Sequence, residues 1–177
     1  MEIYEVLKKE HEEMTQMLNE LVALKEDDDY RFVLIEQIAK ELVPHSRAEE
    51  SVFYNTLRAV NADKKLVFHG YGEHMQAETL LRSLQVMDKL NLSWKGIARK
   101  LQESVTHHIN EEESEIFSEA RKVFTKEEAL AMGDAFTELK PKVQEQSIVG
   151  TTADMVLNMM PPRLADSIRN FGSASKS

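Results

Sequence analysis

Two short stretches of the chain share one pattern of residues that commonly bind metal ions. Residues 45–51 and 108–114 both have the sequence His-x-x-x-Glu-Glu-Ser, and they lie 63 residues apart. The pairs Glu10-His11 and Glu73-His74 are separated by the same 63 residues. A single shift without a gap therefore relates two sets of three residues, which indicates a duplicated unit with duplicated ligands: His11, His45 and Glu49 in the first half, and His74, His108 and Glu112 in the second.

The spacing within each His-x-x-x-Glu suits a metal centre in a helical bundle. On a helix the two side chains lie on one face, one turn apart. If all six residues point to the bundle axis, four imidazoles and two carboxylates meet in a dry interior, where leaving them unpaired is costly. Imidazole with carboxylate suits iron, manganese or zinc, and two bridging carboxylates suit a pair of ions. With an oxo or hydroxo bridge, each ion would keep an open position for O2, NO or peroxide.

The elements that must position these residues are predicted to be helices. Thr125-Lys126-Glu127-Glu128 is a capping box that opens a fifth helix, which Pro141 is expected to end. Pro44 is expected to kink the second helix, and Gly70 and Gly72 to make the third irregular near its start. Apolar residues recur at helical spacing over four ranges: 2–26, 30–59, 64–90 and 94–122.

The predicted loops lie midway between successive candidate histidines. The midpoint of positions 11 and 45 is 28, that of 74 and 108 is 91, and that of 45 and 74 falls between 59 and 60. Because residues equidistant from a hairpin turn lie at equal height, all four histidines reach one level. The sequence therefore predicts an all-α, up-down-up-down antiparallel four-helix bundle with an additional C-terminal helix and tail. We expect residues 1–140 to form the bundle with its fifth helix, and 141–177 a partly ordered extension.

Composition excludes several classes of protein. The chain has 177 residues, of which 42% are hydrophobic, and a net charge of −9, which opposes binding to nucleic acid. It has no cysteine, so thiolate metal sites, iron–sulfur clusters and disulfides are excluded. No signal peptide precedes the first helix and no apolar run approaches ~18 residues, so we expect a cytoplasmic protein without membrane contact.

Other residues are weaker candidates for the site. Glu78 follows His74 by four positions and His69 precedes it by five, so either could be an additional metal ligand. His107 points away from His108 and is expected at the surface or beside the site. Tyr54 and Tyr71 could lie near the metals, although ordinary packing explains them too. No catalytic residue is identifiable. The remaining acidic residues near the motifs are interpreted as a solvated face: Glu50, Glu111, Glu113 and Glu115.

The arrangement of the six candidate ligands resembles the hemerythrin-like, or HHE cation-binding, family. The resemblance covers residues 3–122 and implies a four-helix bundle with a non-haem di-iron centre, two iron ions held by those six residues. Oxygen-carrying members often have a further histidine four residues from the first one on the third helix, but this chain has Gly70 and Glu78 there. Members that repair iron–sulfur centres carry a cysteine-containing N-terminal domain, whereas this chain has no cysteine. Small members with peroxide- or NO-related chemistry are therefore the most similar.

Three functions remain open from the sequence. The first is a sensor, store or carrier that binds O2, NO or iron reversibly. The second is an enzyme with catalase- or peroxidase-like or NO-reducing activity, used in oxidative or nitrosative stress. The third is a structural role, in which the metal only holds the bundle together. A ferritin-like di-metal bundle is disfavoured because no Glu-x-x-His contains these histidines. The tail is expected to dock on the bundle, the alternative being a homodimer or partner contact.

Overall fold

The computed structural model describes residues 1–60, 62–89, 93–145 and 159–167, and within these ranges the chain is helical and has no strand. Two five-residue π-helical turns, Glu50–Tyr54 and Glu112–Ile116, each connect one α-helix directly to the next. Residues 162–167 form a further short helix. The other helices are α1 (Ile3–Ala23), α2 (Tyr30–Glu49), α3 (Asn55–Ala59), α4 (Lys64–Lys89), α5 (Lys95–Glu111), α6 (Phe117–Val123) and α7 (Lys126–Glu145).

The helices pack around a common interior. α1 packs against α2 and α5, and α4 packs against the same two helices from the other side. α7 lies against α1 and α2. In the part of the chain that the structure describes, no helix is both long and apolar enough to cross a membrane.

The buried apolar residues form two clusters at different levels of the bundle. The first contains Ile3, Leu7, Phe53 and Phe136. The second contains Met14, Leu18, Leu81 and Leu101. His11 lies on α1 between Leu7 of the first cluster and Met14 of the second, so the candidate ligands occupy a polar layer between two hydrophobic ones.

Pro44, Pro141 and the two glycines do not interrupt their helices. α2 continues through Pro44, and α7 continues through Pro141 to Glu145, so Pro141 does not end the fifth helix. α4 is helical through Gly70 and Gly72, so the region of His69 is regular. Packing of the flanking apolar residues therefore outweighs the local helix-breaking tendency. The predicted capping box is confirmed: the Thr125 N–H donates to Glu128 at 2.9 Å, and the Glu128 N–H donates to the Thr125 hydroxyl at 3.3 Å.

The helix irregularities lie instead directly after the two motif glutamates. A π turn bonds each N–H to the fifth preceding carbonyl, so it leaves a carbonyl of the ordinary helix ladder without its partner. The hydroxyl of the serine that ends each motif donates to the carbonyl four residues earlier in the same helix. Ser51 Oγ donates to the Arg47 carbonyl at 2.8 Å, and Ser114 Oγ donates to the Asn110 carbonyl at 2.5 Å. The third residue type of the motif therefore has a structural role at the π turn.

Gly70 lets α4 approach the ring of Tyr54. A Cβ atom at position 70 would lie 2.3 Å from Tyr54 Cε1 and 2.6 Å from its hydroxyl oxygen. Tyr54 is completely buried and cannot move outwards easily. Gly72, two residues further along the helix, is exposed, and an added Cβ there would meet nothing within 4 Å among the described residues.

The described part of the C-terminal extension docks on the first apolar cluster. Met160, Leu164 and Ala165 are buried in that cluster. The Arg163 guanidinium donates to both carboxylate oxygens of Glu128, each at 2.7 Å. This confirms docking for residues 159–167. The sequence also suggests an apolar segment at 155–160 and a last short helix with Leu164, Ile168 and Phe171 on one side; residues 155–158, Ile168 and Phe171 lie outside the described residues.

Two glycine substitutions should have opposite effects on stability. Gly70→Ala is expected to lower the free energy of unfolding by about 1–3 kcal/mol, because overpacking against Tyr54 outweighs the better helix propensity of alanine. Gly72→Ala, on the same helix but without a neighbour to strike, should raise it by about 0.5–1 kcal/mol. Urea unfolding followed by circular dichroism measures both. A stabilised Gly70→Ala chain would contradict the close approach.

Candidate metal centre

Four helices each bring one buried histidine to the same level. His11 lies on α1, His45 on α2, His74 on α4 and His108 on α5, and each is at most 7% exposed. The His11 and His45 rings are 5.3 Å apart between centroids, and the His74 and His108 rings are 4.5 Å apart. The structure therefore brings the four histidines together as two neighbouring pairs.

Glu49 belongs to both histidine pairs. Its carboxylate lies close to His11 and His45 on one side and to His74 and His108 on the other. In each of these two groups the potential ligand atoms lie within 4.8 Å of one another. Glu49 Oε2 is 3.5 Å from His45 Nε2 and 3.1 Å from His74 Nε2. Each group contains two imidazoles and one carboxylate, and Glu49 connects the two groups.

Glu112 completes the six residues that the repeat singled out. It is fully buried, and its Oε2 atom lies 3.2 Å from His11 Nε2. None of the four carboxylate oxygens of Glu49 and Glu112 has a hydrogen-bond partner within the described part of the chain. Such buried acceptors are expensive to leave unsatisfied, which indicates that the site is built to hold a positively charged group.

Each histidine also has a carboxylate on its other ring nitrogen. Glu113 lies 2.9 Å from His11 Nδ1, and Glu10 lies 2.8 Å from His45 Nδ1. The second half shows the same pairing: His74 Nδ1 with Glu50 at 3.1 Å, and His108 Nδ1 with Glu73 at 3.0 Å.

These four carboxylates fix which ring nitrogen faces inward. A carboxylate accepts the Nδ1–H, which leaves the Nε2 lone pair directed at the centre and makes the imidazole a stronger metal ligand. The interpretation of Glu50 and Glu113 as solvated residues was wrong, because both bind histidines. Sequence reasoning also gave no role to Glu10 and Glu73. The signal was available, since Glu10 and Glu73, and likewise Glu50 and Glu113, obey the same 63-residue offset as the ligands.

Burial and the neighbouring charges shift the protonation of the centre. Burial and the adjacent Glu112 raise the pKa of Glu49 well above its usual range. Burial also opposes ionisation of Glu112, but the close approach and positive charge of His11 outweigh it and lower the pKa of Glu112. Burial likewise opposes protonation of His11, yet Glu112 and Glu49 together raise its pKa to about 9. Without a metal ion, a proton on His11 partly neutralises the carboxylates.

Tyr54 presents a buried phenol to the carboxylate side of the centre. Its ring lies 5.4 Å from that of His74 between centroids, and its hydroxyl has no hydrogen-bond partner among the residues described. Burial, together with the negative Glu112 and Glu49, raises the pKa of Tyr54 well above 10, so the hydroxyl keeps its proton. Tyr71 packs on Tyr54 and donates its hydroxyl to Asn55 at 2.8 Å, away from the histidines.

The two further ligand candidates do not reach the buried centre. Glu78 instead bonds to Arg47 at 2.6 Å and to Arg82 at 2.5 Å. Glu78 lies one helical turn beyond His74, at the surface between α2 and α4, where Arg47 and Arg82 can reach it. His69 has a side chain 56% exposed and belongs to neither group around Glu49. His107 is 61% exposed, which agrees with its expected position at the surface.

The fifth helix contributes a lysine to one side of the site. Lys140 on α7 lies 2.9 Å from Glu10 and 2.7 Å from Glu41. Burial opposes ionisation of Glu10, but its bonds to His45 and then Lys140 lower its pKa below the usual range. Lys140 thus neutralises the carboxylate that orients His45.

Comparison with known proteins identifies relatives of this fold. A family model described as the hemerythrin HHE cation-binding domain matches residues 2–120. The chain is 25% identical over 155 residues to a protein of Nostoc sp. named DNA nickase; the match covers 82% of this chain but 41% of that protein. A crystal structure of a hemerythrin HHE cation-binding domain-containing protein from Mycobacterium kansasii is similar in fold, with 18% identity, a TM-score of 0.71, and coverage of 90% of this chain and 99% of that one.

The raised pKa of His11 predicts that the metal-free chain is less stable in alkali. The folded-state pKa of about 9 lies above the ordinary 6.5, so the stabilisation is complete below about pH 6.5 and is lost as the pH rises to 9. Glu49, whose pKa is also raised, acts in the same direction. From pH 6.5 to 9, urea unfolding of the chelator-treated chain should show a loss on the order of 3 kcal/mol from His11 alone.

Two histidine variants test the origin of that loss. His11→Gln should remove the His11 part of the loss between pH 6.5 and 9, on the order of 3 kcal/mol, and leave the Glu49 part, whereas His107→Gln, which replaces an exposed histidine, should retain the whole loss. Equal stability of the unsubstituted metal-free chain at the two pH values would contradict the assignment.

Proposed function

Because the chain belongs to the hemerythrin HHE cation-binding domain family, we propose that it is a non-haem di-iron protein that binds a small ligand, O2, NO or peroxide, at open iron positions. The observation that carries this proposal is the shared position of Glu49 in two groups of two histidines and one carboxylate. Two histidines with one carboxylate are the ligand set of many non-haem iron(II) sites that keep positions open. A carboxylate common to both sets suits a pair of ions.

The proposed ligands divide between the two ions by their position. His11, His45 and Glu49 would hold one ion, and His74, His108 and Glu49 the other. Glu112, close to His11, would add a carboxylate oxygen. Bound iron supplies a redox-active centre with room for an external ligand. The side chains on Nδ1 hold each imidazole in the orientation that this requires.

The pocket beside the histidines suits a small and weakly polar ligand. Apart from the histidines, most of its lining surface is apolar and comes from α1, α2, α4 and α5. Its other lining residues are polar: Glu10, Glu13, Glu41, Ser46, Glu73 and Lys140. The apolar part of the lining disfavours water next to the histidines. The apolar lining residues are Met14, Met17, Leu42, Ala77, Val105 and Ile109.

We further propose that the helices form an up-down-up-down antiparallel bundle. α1, α2 with α3, α4, and α5 with α6 would be its four members, and α7 the additional C-terminal helix. The neighbour contacts of α1, α2, α4 and α5 support this arrangement, as does the convergence of one histidine from each.

DNA nicking is not part of the proposal. The Nostoc sp. relative is named for that activity, but this chain spans 41% of its length. A net charge of −9 opposes contact with the phosphate backbone, on which DNA affinity depends.

The alternative function is a di-iron enzyme that decomposes peroxide or reduces NO. Tyr54 favours it, because a protonated, unpartnered phenol at the carboxylate side of the centre can donate a proton to a bound ligand. The structure places Tyr71 beside Tyr54 but with its hydroxyl on Asn55, which makes Tyr71 a matched control.

Iron content tests the metal assignment. Protein from iron-replete cells, passed over a chelating resin to remove loosely held ions, should retain two iron ions per chain. His108→Ala should lose at least one of them, because it removes one of the two imidazoles of a group. His107→Ala, which changes the adjacent exposed residue, should retain both. Equal losses in the two variants, or one iron or fewer in the unsubstituted chain, would contradict the di-iron proposal.

Peroxide and NO separate binding from turnover. If the protein binds ligands reversibly, NO should give a stable optical spectrum that disappears on removal of the gas, and O2 release from peroxide should not exceed that of free iron. Release far above that level would establish the enzyme. In that case Tyr54→Phe should lower the rate by about 10²-fold or more with the iron content unchanged, while Tyr71→Phe should have little effect.

A further inference from the structure

A second group of histidines and glutamates lies on the outer side of α4 and α5. We call His69, Glu73, His107 and Glu111 the surface tetrad. Each helix supplies a histidine and, four residues later, a glutamate, so both pairs lie on one helix face. The potential ligand atoms all lie within 4.8 Å of one another.

The distances within the surface tetrad show that its side chains converge. Glu111 lies 3.1 Å from His69 Nε2 through one oxygen and 3.2 Å from His107 Nε2 through the other. Glu73 Oε1 lies 3.5 Å from His107 Nε2 and 3.6 Å from His69 Nε2. Both imidazoles therefore direct the same nitrogen into the space between two carboxylates.

Glu73 provides independent evidence that this space is made for a ligand. The residue is only 7% exposed, and its Oε2 atom accepts from His108 Nδ1 at 3.0 Å. Its Oε1 atom is buried, is directed into the surface tetrad and has no hydrogen-bond partner in the described chain. A buried carboxylate oxygen without a partner is costly unless a cation or a donor satisfies it.

The equivalent position in the first half has such a cation. Glu10 corresponds to Glu73 by the 63-residue offset, and the ammonium of Lys140 lies 2.9 Å from it. The other three tetrad positions have no ligand residues in the first half, where their equivalents are Val6, Pro44 and Ala48. The surface tetrad is thus an addition to the duplicated pattern, placed where Glu73 needs a positive charge.

We propose that the surface tetrad binds one divalent transition-metal ion of the Fe2+ to Zn2+ range, separate from the buried pair. Two neutral imidazoles and two carboxylates match the charge of such an ion and are ligands that these metals accept. The histidines are more than half exposed, so the ion exchanges with solvent. Glu73 shares its other oxygen with His108, and a single carboxylate therefore connects the surface ion with a ligand of the buried centre.

Zinc uptake by the full chain tests this proposal. The buried centre keeps whatever metal it holds when the protein is purified. Equilibrium dialysis against Zn2+, followed by metal analysis, should give one more zinc per chain in the unsubstituted protein than in H69A/H107A. Glu111→Gln should weaken this binding by at least about tenfold. Glu115→Gln removes the same charge from an exposed position outside the tetrad and should leave it unchanged.

Three outcomes would overturn the surface site. They are equal zinc uptake by the unsubstituted chain and H69A/H107A, equal binding by Glu111→Gln and Glu115→Gln, and no uptake at all, which would mean that the tetrad is only a network of ion pairs. Circular dichroism and retained buried metal show that each variant is folded; if H69A/H107A is not, the two glutamate variants decide. Because zinc is counted as a difference between variants, the result does not depend on which metal the buried centre holds.

Discussion

The burial of six titratable side chains in one layer is the constraint on which this structure depends. Four imidazoles and two carboxylates lie between two apolar clusters, so they are largely shielded from water. Without a metal ion the layer must share protons, and it does so with a raised pKa at Glu49 and a proton on His11. Cations that replace those protons would remove this cost. The family to which the chain belongs is a cation-binding one, which agrees with that electrostatic requirement.

Adjacent residues of the Glu-Glu-Ser motif make contacts with different parts of the structure. Glu49 enters the centre, whereas the next residue, Glu50, bonds to Nδ1 of His74 on another helix. Successive helical residues point about 100° apart, so one chain segment can serve both positions. The serine that follows donates its hydroxyl to the Arg47 carbonyl, one turn earlier beside the π turn. Each of the three consecutive residues in Glu-Glu-Ser therefore has its own role.

The buried set of six residues was predictable because a repeat and a helical period specify it together. The roles of Glu10, Glu50, Glu73 and Glu113 were not predicted, since acidic residues in a helix are usually solvated. Only the packing of neighbouring helices brings their carboxylates to Nδ1 atoms. Glu78 and His69, the weaker candidates, lie outside the buried centre: Glu78 bonds to Arg47, and His69 lies beside Glu111 on the outer side of α4 and α5.

Local sequence signals also failed where packing opposes them. Pro44 and Pro141 lie inside helices, since the apolar contacts along α2 and α7 extend past both residues. Gly70 is needed for its lack of a side chain and not for flexibility, because the Tyr54 ring occupies the space of a Cβ atom. A residue's backbone preference predicts an element's end only when no tertiary contact continues across it.

The crossed pairing of histidines and carboxylates makes the two halves of the repeat depend on each other. His11 in the first half bonds to Glu113 in the second, and His74 in the second bonds to Glu50 in the first. Each half therefore orients one histidine of the other, and neither half contains the complete centre. The two halves differ outside the centre, where Lys140 lies beside Glu10 and the surface tetrad contains the equivalent Glu73.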